Sequence, residues 1–290
     1  MRKPRTASAN RLGNRENNQD RCLIEQLPGI SLLAVADGMG GHDRGDLAAQ
    51  AAVDSLARTL RRQRLPLQDP AGFLKQALRS AHLDVVDAGC SHRPPITPRT
   101  TCVACVVQAG HAWWAHVGDS RLYLLRDGAL FTRTRDHTPV EELRQSGLIG
   151  EAELRTHPLR NTVNRCLGGP PRFPEITLAD AALEAGDLLL LCSDGLWSAL
   201  PENRLLALTG EEELETALEQ LCSEAEIASY PGSDNISAVA LRWAGGRETM
   251  PGDEKPAAAK DSGTKEKDPL EEAIENIHRA LLEYASEMKK

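Results

Sequence analysis

The order of the short apolar segments is the feature that most constrains the fold. Segments typical of β-strands come in hairpin groups, and segments typical of amphipathic helices come in pairs. The predicted strands span 22–27, 31–36, 100–108, 112–117, 121–126, 188–193 and 236–243. The predicted helices span 46–62, 70–87, 201–208 and 211–228. Because a parallel sheet would need strands and helices in strict alternation, this order predicts an α+β fold of antiparallel sheets covered by helix pairs.

Composition narrows the classes of function. The 290 residues include 42 acidic and 34 basic side chains, which gives a net charge of −8. Since contacts to phosphates supply most of the affinity for nucleic acid, an acidic chain predicts no nucleic-acid partner. No apolar run approaches the ~20 residues of a membrane helix, and the basic N-terminus lacks the apolar core of a signal peptide. We therefore expect no membrane segment and a cytoplasmic location.

The seven cysteines do not suggest a disulfide framework, because their number is odd and they are scattered along the chain. Cys102 and Cys105 form a C-x-x-C pair inside a predicted strand. Residues three apart on a strand point to opposite faces, and the chain has no second C-x-x-C to complete a zinc site. Both thiols are predicted to be buried and structural.

The last part of the chain differs from the rest. Residues 1–244 form the predicted compact domain, and residues 245–267 are rich in Gly, Pro, Ala and alternating charge, which is typical of a flexible linker. Residues 268–290 place apolar side chains at spacings of three and four, which predicts an amphipathic helix. This helix either docks on a partner helix or packs back on its own domain.

Five carboxylates stand where apolar strands begin or end. They are Asp20, Asp37, Asp119, Asp194 and Asp234. Each alone is explained by a turn or a backbone cap, but together they predict convergence at one edge of the fold. Convergent carboxylates raise each other's pKa unless a cation lies between them, and oxygen-only ligands favour Mg²⁺ or Mn²⁺ over zinc.

Two neighbours of these carboxylates extend the prediction. Gly38 has no side chain, so its carbonyl oxygen could approach a metal ion closely. Arg15 lies near Asp20 in the sequence, and a guanidinium beside a carboxylate–metal cluster suits bidentate binding of a phosphate.

From about residue 13 to residue 243 the chain resembles a known family in five ordered motifs. The motifs are Arg15-x-x-Asn18-Gln19-Asp20, Asp37-Gly38-Met39-Gly40-Gly41-His42, Gly118-Asp119-Ser120-Arg121, Ser193-Asp194-Gly195-Leu196-Trp197 and Ser233-Asp234-Asn235-Ile236. They resemble the bacterial form of the type 2C metal-dependent protein serine/threonine phosphatases, the PPM family. The resemblance implies a four-layer α-β-β-α sandwich over residues 1–244. It also implies a helix-poor, mobile flap at about 136–168 that helps to select substrates.

The resemblance implies a core site for two Mn²⁺ or Mg²⁺ ions, both contacted by Asp37. Asp194 and Asp234 would hold the first ion. The Gly38 carbonyl would hold the second, with Asp20 helping through a water molecule.

A third ion, as in bacterial members of the family, would use Asp119 and Asp194. The implied mechanism is attack on phosphorus, in line with the leaving oxygen, by a hydroxide that the ions activate, while Arg15 binds the phosphate. Either His42 or a metal-bound water would protonate the leaving alkoxide, and His42 could instead contact the phosphate. Gln19 replaces a Glu that binds the second metal in eukaryotic relatives, which predicts a weaker second site.

The function implied is hydrolysis of phosphoserine and phosphothreonine in proteins, opposite a bacterial Ser/Thr kinase of the eukaryotic-like type. One alternative is a pseudophosphatase that keeps the fold as a binding module. The other is a metal-dependent hydrolase of small phosphate esters. Asp37, Asp194, Asp234 and Arg15 are all present, which favours an active enzyme, and the flap and the tail favour a protein substrate.

Overall fold

The computed structural model describes residues 4–39, 44–150, 153, 157–160, 162–169 and 172–245. Its strands, in chain order, are β1 Arg5–Arg11, β2 Arg21–Leu27, β3 Ile30–Ala36, β4 Gly38–Met39, β5 Arg99–Thr100, β6 Cys102–Gln108, β7 His111–Val117, β8 Arg121–Arg126, β9 Ala129–Arg133, β10 Leu167–Gly168, β11 Thr177–Ala182, β12 Leu188–Cys192 and β13 Ile236–Arg242. Its helices are α1 Gly45–Arg61, α2 Pro70–Ser91, α3 Pro139–Gln145, α4 Asp194–Trp197, α5 Glu202–Leu206 and α6 Leu214–Ser229, with a 3₁₀ turn at Ala207–Gly210.

Two antiparallel five-stranded sheets form the centre of the molecule. One has the strand order β1-β13-β12-β8-β9 and the other has the order β11-β7-β6-β3-β2. A small third sheet, β10-β5-β4, lies beside them. Alternate side chains of each large sheet point to opposite faces, so each sheet contributes to two apolar layers.

Three clusters of buried apolar side chains define the layers. One joins the two sheets to each other, with Leu33 and Leu191 as members. A second lies between α1, α2 and the outer face of the β11-β7-β6-β3-β2 sheet. A third lies between α4, α5, α6 and the outer face of the other sheet. This is the predicted four-layer α-β-β-α sandwich, and the predicted α+β class is confirmed.

The strand β6 confirms the prediction for its two cysteines. Cys102 and Cys105 are both fully buried free thiols. Cys102 belongs to the layer under α1 and α2, whereas Cys105 belongs to the layer between the sheets. The two thiols therefore lie on opposite faces of one strand.

Several elements differ from their sequence predictions. The strand predicted at 100–108 is interrupted at Thr101, because the Thr101 N–H donates to the Asp37 carbonyl at 2.8 Å. The edge strands β1, β9 and β11 were not predicted, since their few apolar residues give only a weak alternation. The flap expected to be helix-poor begins with α3, whose N-cap residue Thr138 accepts from the Glu141 N–H.

Two predictions fall outside the described residues. The linker at 245–267, apart from residue 245 itself, and the amphipathic helix at 268–290 both lie there. Within the described ranges, no helix combines the length and the apolar character that crossing a membrane requires.

Candidate active site

The five carboxylates lie at one end of the sandwich, four in loops and one at the start of a helix. Asp20 precedes β2, Asp37 follows β3, Asp119 joins β7 to β8, Asp194 begins α4 directly after β12, and Asp234 precedes β13. Asp37 lies close enough to the other four carboxylates to feel the charge of each. The predicted convergence is therefore present in the fold. His42, the predicted acid, lies outside the described residues together with Gly40 and Gly41.

Asp37 and Asp194 are the centre of the cluster. Burial, followed by the charges of the neighbouring carboxylates, holds the pKa of Asp37 well above its usual value. Burial and the charge of Asp234 raise the pKa of Asp194 to about 6, while a hydrogen bond with Asp37 opposes that rise. Without a cation, both carboxyl groups therefore bind a proton more readily than an exposed aspartate does.

The main chain of Asp37 is fixed by the neighbouring strand. Its carbonyl accepts from the Thr101 N–H at 2.8 Å and from the Thr100 hydroxyl at 2.8 Å. Its own N–H donates to Thr101 Oγ1 at 3.3 Å. These bonds fix the Asp37 main chain at the end of β3, beside the other carboxylates.

Asp20 is the most enclosed carboxylate on this edge, with 1 % of its surface exposed. Its Oδ2 accepts from the Ser193 hydroxyl at 2.7 Å. Burial raises the pKa of Asp20 to about 7, and the Ser193 hydrogen bond only partly offsets that rise. Sequence reasoning assigned no role to Ser193, although it stands directly before Asp194.

Asp119 is held by a constrained loop. The preceding residue, Gly118, has φ +105°, and a side chain there would meet Thr101 Cβ at 2.6 Å. The Gly118 N–H donates to His137 Nδ1 at 3.2 Å, and the His137 N–H donates to the Gly118 carbonyl at 3.0 Å. Burial and the charge of Asp194 raise the pKa of Asp119 well above its usual value. His137 therefore supports the loop that carries Asp119.

Asp234 is the carboxylate with a basic partner. Its Oδ2 lies 2.7 Å from Arg15 Nη2, and the two side chains are 40 % and 55 % exposed. Asn235 stabilises the loop that carries Arg15. Its side-chain amide donates to the carbonyls of Leu12 and Asn17 and accepts from the Gln19 N–H. The predicted phosphate-binding arginine therefore faces solvent at the edge of the carboxylate cluster.

Gly38 has a second reason to be glycine besides the proposed metal contact. A Cβ at Gly38 would lie 2.2 Å from the Gly45 carbonyl oxygen, and a Cβ at Gly45 would lie 2.5 Å from the Gly38 carbonyl carbon. The start of α1 therefore packs backbone against backbone on the strand β4. The role of the Gly38 carbonyl as a metal ligand stays a prediction.

The donor set suits a hard divalent cation. All the converging side chains present oxygen, and burial together with mutual repulsion raises the pKa of four of them, Asp20, Asp37, Asp119 and Asp194. A cation among them would relieve that repulsion. Over the residues that the structure describes, no three His, Cys, Asp or Glu side chains are grouped so that they could hold a metal ion as they stand. The fit to Mg²⁺ or Mn²⁺ therefore rests on the oxygen donors and on the repulsion that a cation would relieve.

A cavity of about 350 Å³ opens beside the cluster. Arg15, Asp194 and Asp234 line one end of it, while Thr138 and Arg160 of the flap line another part. Among the described residues the Arg160 guanidinium has no ion-pair partner, whereas Arg15 is paired with Asp234. The cavity therefore combines oxygen ligands for cations with basic groups for an anion.

The motifs also contain residues whose roles sequence reasoning missed. Trp197 Nε1 donates to the Asp119 carbonyl at 3.0 Å. Arg121 lies against the Trp197 ring and is paired with Asp136. Both residues belong to motifs quoted above, each within three positions of a candidate metal ligand. This closeness in sequence was the signal that could have identified them.

Comparison with protein families gives a match over most of the chain. Residues 9–230 match the family model described as protein phosphatase 2C. The serine/threonine protein phosphatase PstP of Mycobacterium tuberculosis is 34 % identical over 229 residues, which are 78 % of this chain and 42 % of that protein. The chain therefore spans less than half the length of this relative.

Another relative and a solved structure are each covered by the match over almost their whole length. The serine/threonine phosphatase stp of Listeria monocytogenes is 31 % identical over 233 residues, which are 78 % of this chain and 90 % of that protein. The crystal structure of the catalytic domain of PstP in complex with 2 manganese ions superposes with a TM-score of 0.71 at 30 % identity, covering 82 % of this chain and 97 % of that one.

Proposed function

This chain belongs to the protein phosphatase 2C family of serine/threonine phosphatases, and we propose that it hydrolyses phosphoserine and phosphothreonine in proteins at the carboxylate cluster described above. The observation that carries the proposal is the placement of Arg15 beside Asp234, where the oxygen-only cluster meets the open cavity. An anionic substrate and the cations that activate a nucleophile would meet at this point.

The chain's own residues would divide the work. Asp37, Asp194 and Asp234 would hold the core pair of Mn²⁺ or Mg²⁺ ions, with the Gly38 carbonyl and Asp20 completing the second position. The manganese-bound relative supports metal dependence. When bound, such cations supply a water of lowered pKa for attack in line with the leaving oxygen, and they neutralise charge on the phosphate.

Arg15 would bind the non-bridging oxygens of the phosphate. Its guanidinium is half exposed, so it can turn from Asp234 toward a ligand at little cost. A planar guanidinium suits two phosphate oxygens at once. Either His42 or a metal-bound water would protonate the leaving alkoxide, and His42 could instead contact the phosphate.

The proposed substrates are phosphorylated proteins, and the proposed setting is a cytoplasmic pathway that a Ser/Thr kinase opposes. The names of the curated relatives support protein substrates. A phosphoproteome of the native host, comparing wild type with Asp194→Asn, would identify substrates as phosphosites that rise in the variant.

The direct test measures phosphate release from a phosphothreonine peptide. We expect release with Mn²⁺, none after EDTA, and none from Asp194→Asn at any Mn²⁺ concentration. The matched control is Asp180→Asn, because Asp180 is an exposed carboxylate on β11 that pairs with His111 away from the cluster. This control is expected to retain full activity.

Three results would contradict the proposal. Full activity in Asp194→Asn would remove the metal assignment. Binding of the phosphopeptide without hydrolysis under all metal conditions would indicate a pseudophosphatase. Hydrolysis of small phosphate esters with no activity on phosphopeptides would indicate a small-ester hydrolase.

A further inference from the structure

The helix α4 joins two of the candidate ligands. Asp194 is its first residue and Trp197 is its last. The Trp197 indole N–H crosses to the loop between β7 and β8, where it donates to the Asp119 carbonyl at 3.0 Å. One short element therefore carries Asp194 and also holds the main chain of Asp119.

The Trp197 ring is fixed by a second set of contacts. The Arg121 guanidinium carbon lies 3.5 Å from the ring centroid. Asp136 holds that guanidinium through Nε at 2.8 Å and Nη2 at 2.7 Å, and the Tyr123 hydroxyl accepts from Nη1 at 3.0 Å. Arg121 and Asp136 are 15 % and 8 % exposed. The ring cannot turn without disturbing this largely buried ion pair.

These contacts oppose a repulsion between the two carboxylates. Asp119 lies in the loop that follows β7, whereas Asp194 is the first residue of α4, directly after β12. Like charges on these two segments repel each other, so the segments would move apart unless a contact holds them together. The hydrogen bond from Trp197 to the Asp119 carbonyl is such a contact.

We propose that Trp197 is a positioning residue for the third cation, the one that Asp119 and Asp194 would hold together. Its N–H fixes the Asp119 main chain relative to α4, which carries Asp194, and Arg121 keeps the ring in place. This inference rests on the proposed function and on the third ion that the family resemblance implies, and it assigns the support of that ion to a residue outside its ligand set. Support of this kind commonly changes metal affinity by about 10–100-fold.

The test uses Trp197→Phe, which keeps an aromatic face for Arg121 and removes only the N–H donor and one ring. The matched control is Trp113→Phe, because Trp113 on β7 is also partly exposed and also contacts a neighbouring side chain, His111, with ring centroids 4.4 Å apart and ring planes tilted by 34°. Mn²⁺ binding to the metal-free protein is measured by calorimetry, and the melting temperature is measured without metal.

We expect Trp197→Phe to weaken one class of Mn²⁺ site by about tenfold or more and to leave the other sites unchanged. The metal-free melting temperature should match that of Trp113→Phe, whose Mn²⁺ isotherm should match wild type. If Trp197→Phe melts lower than the control, Arg121→Lys provides a second variant. It removes the flat guanidinium from the ring face, and it should weaken the same Mn²⁺ site.

A double-mutant cycle separates positioning from general structural support. Asp119→Asn is expected to abolish one Mn²⁺ site, and adding Trp197→Phe to it should change Mn²⁺ binding no further. A wild-type isotherm in Trp197→Phe, or further loss at the remaining sites in the double mutant, would overturn the inference. A wild-type isotherm in Asp119→Asn would overturn both the inference and the third ion, while peptide hydrolysis that still depends on the core ions would leave the rest of the proposed function standing.

Discussion

Arg15 and Asp234 form the most exposed charged pair of the candidate site, at 55 % and 40 % exposure. Exposed ion pairs contribute little to folding, because solvent screens them and holding two side chains in place costs entropy. A group that adds little to stability and faces a ligand cavity is available for binding. Binding of the substrate therefore explains the position of Arg15 better than a contribution to folding stability does.

Replacing Arg15 tests this explanation. Arg15→Ala should lower kcat/KM on a phosphothreonine peptide by about 10–100-fold, since a hydrogen bond to a charged group contributes ~1.5–3 kcal/mol. Its midpoint of urea unfolding should stay at the wild-type value. Arg15→Lys keeps the charge but not the planar pair of donors, so its activity should lie between those of wild type and Arg15→Ala. Wild-type kcat/KM in Arg15→Ala would exclude a phosphate-binding role.

Asp20 gives a prediction about pH. Its folded pKa of about 7 lies above the unfolded value of 3.8, so between these values the metal-free folded state binds the proton more tightly. The contribution of this group to stability is therefore present at low pH and is lost as pH rises through about 7.

The measurement compares metal-free wild type with Asp20→Asn by urea unfolding at pH 6.5 and pH 8. The wild type should lose more stability than the variant over this interval, and saturating Mn²⁺ should remove the difference by compensating the charge of the cluster. Parallel curves for the two metal-free proteins would show that the buried carboxylate does not titrate in this range.

The flap shows how an element differs from its sequence signal. The segment was expected to contain little helix, yet it begins with α3, which Thr138 caps and which Arg144 stabilises through a salt bridge to Glu141. The helix has only seven residues, about two turns, so its sequence is too short to show a clear 3.6-residue pattern of apolar residues. Its N-terminal part lines the cavity through Thr138 and Val140, so the element belongs to the proposed substrate site.

Replacing Arg160 tests whether the flap takes part in substrate selection. Its guanidinium has no ion-pair partner among the described residues, and it lines the same cavity as Asp194 and Asp234. Arg160→Ala should therefore lower kcat/KM on phosphopeptides while sparing hydrolysis of a small aryl phosphate, which does not extend to the flap.

Both substrates are assayed on the same preparation. Arg172→Ala serves as the control, because Arg172 is an exposed arginine that does not line the cavity. An equal loss on the two substrates would place Arg160 in the chemical step rather than in substrate selection.

At the scale of the whole molecule, the described domain already contains the complete set of converging carboxylates and the cavity beside them. All strands of the two large sheets precede or end at residue 242, the last residue of β13. The predicted linker and amphipathic helix come after this point. The catalytic unit should therefore not need them.

Removing residues 245–290 is expected to leave the rate on a phosphothreonine peptide and the melting temperature unchanged. A shorter truncation that removes only residues 268–290 is the control, and it separates the helix from the linker. Loss of peptide hydrolysis in the longer truncation would show that the tail belongs to the catalytic domain, as the alternative of a helix packing back on its own domain requires.

Local sequence patterns predict which segments are strands or helices and which residue types stand at their ends. The strand predicted at 121–126 has those bounds in the structure, and the long helices begin and end within a few residues of their predicted positions. The carboxylates were found because each follows or precedes an apolar strand, which is a local pattern. Local propensity and side-chain period are properties of neighbouring residues, so a single chain carries them in full.

The tertiary structure alone decided which of these ends meet and what holds them. Ser193 bonds to Asp20 across 173 positions, and Arg15 pairs with Asp234 across 219. Trp197 reaches Asp119 only because β12 lies next to β8 in the sheet. The order of strands depends on how whole faces bury one another, and no local pattern contains that information. The polar edge strand β1 escaped prediction for the same reason, since its pairing with β13 rather than its own composition makes it a strand.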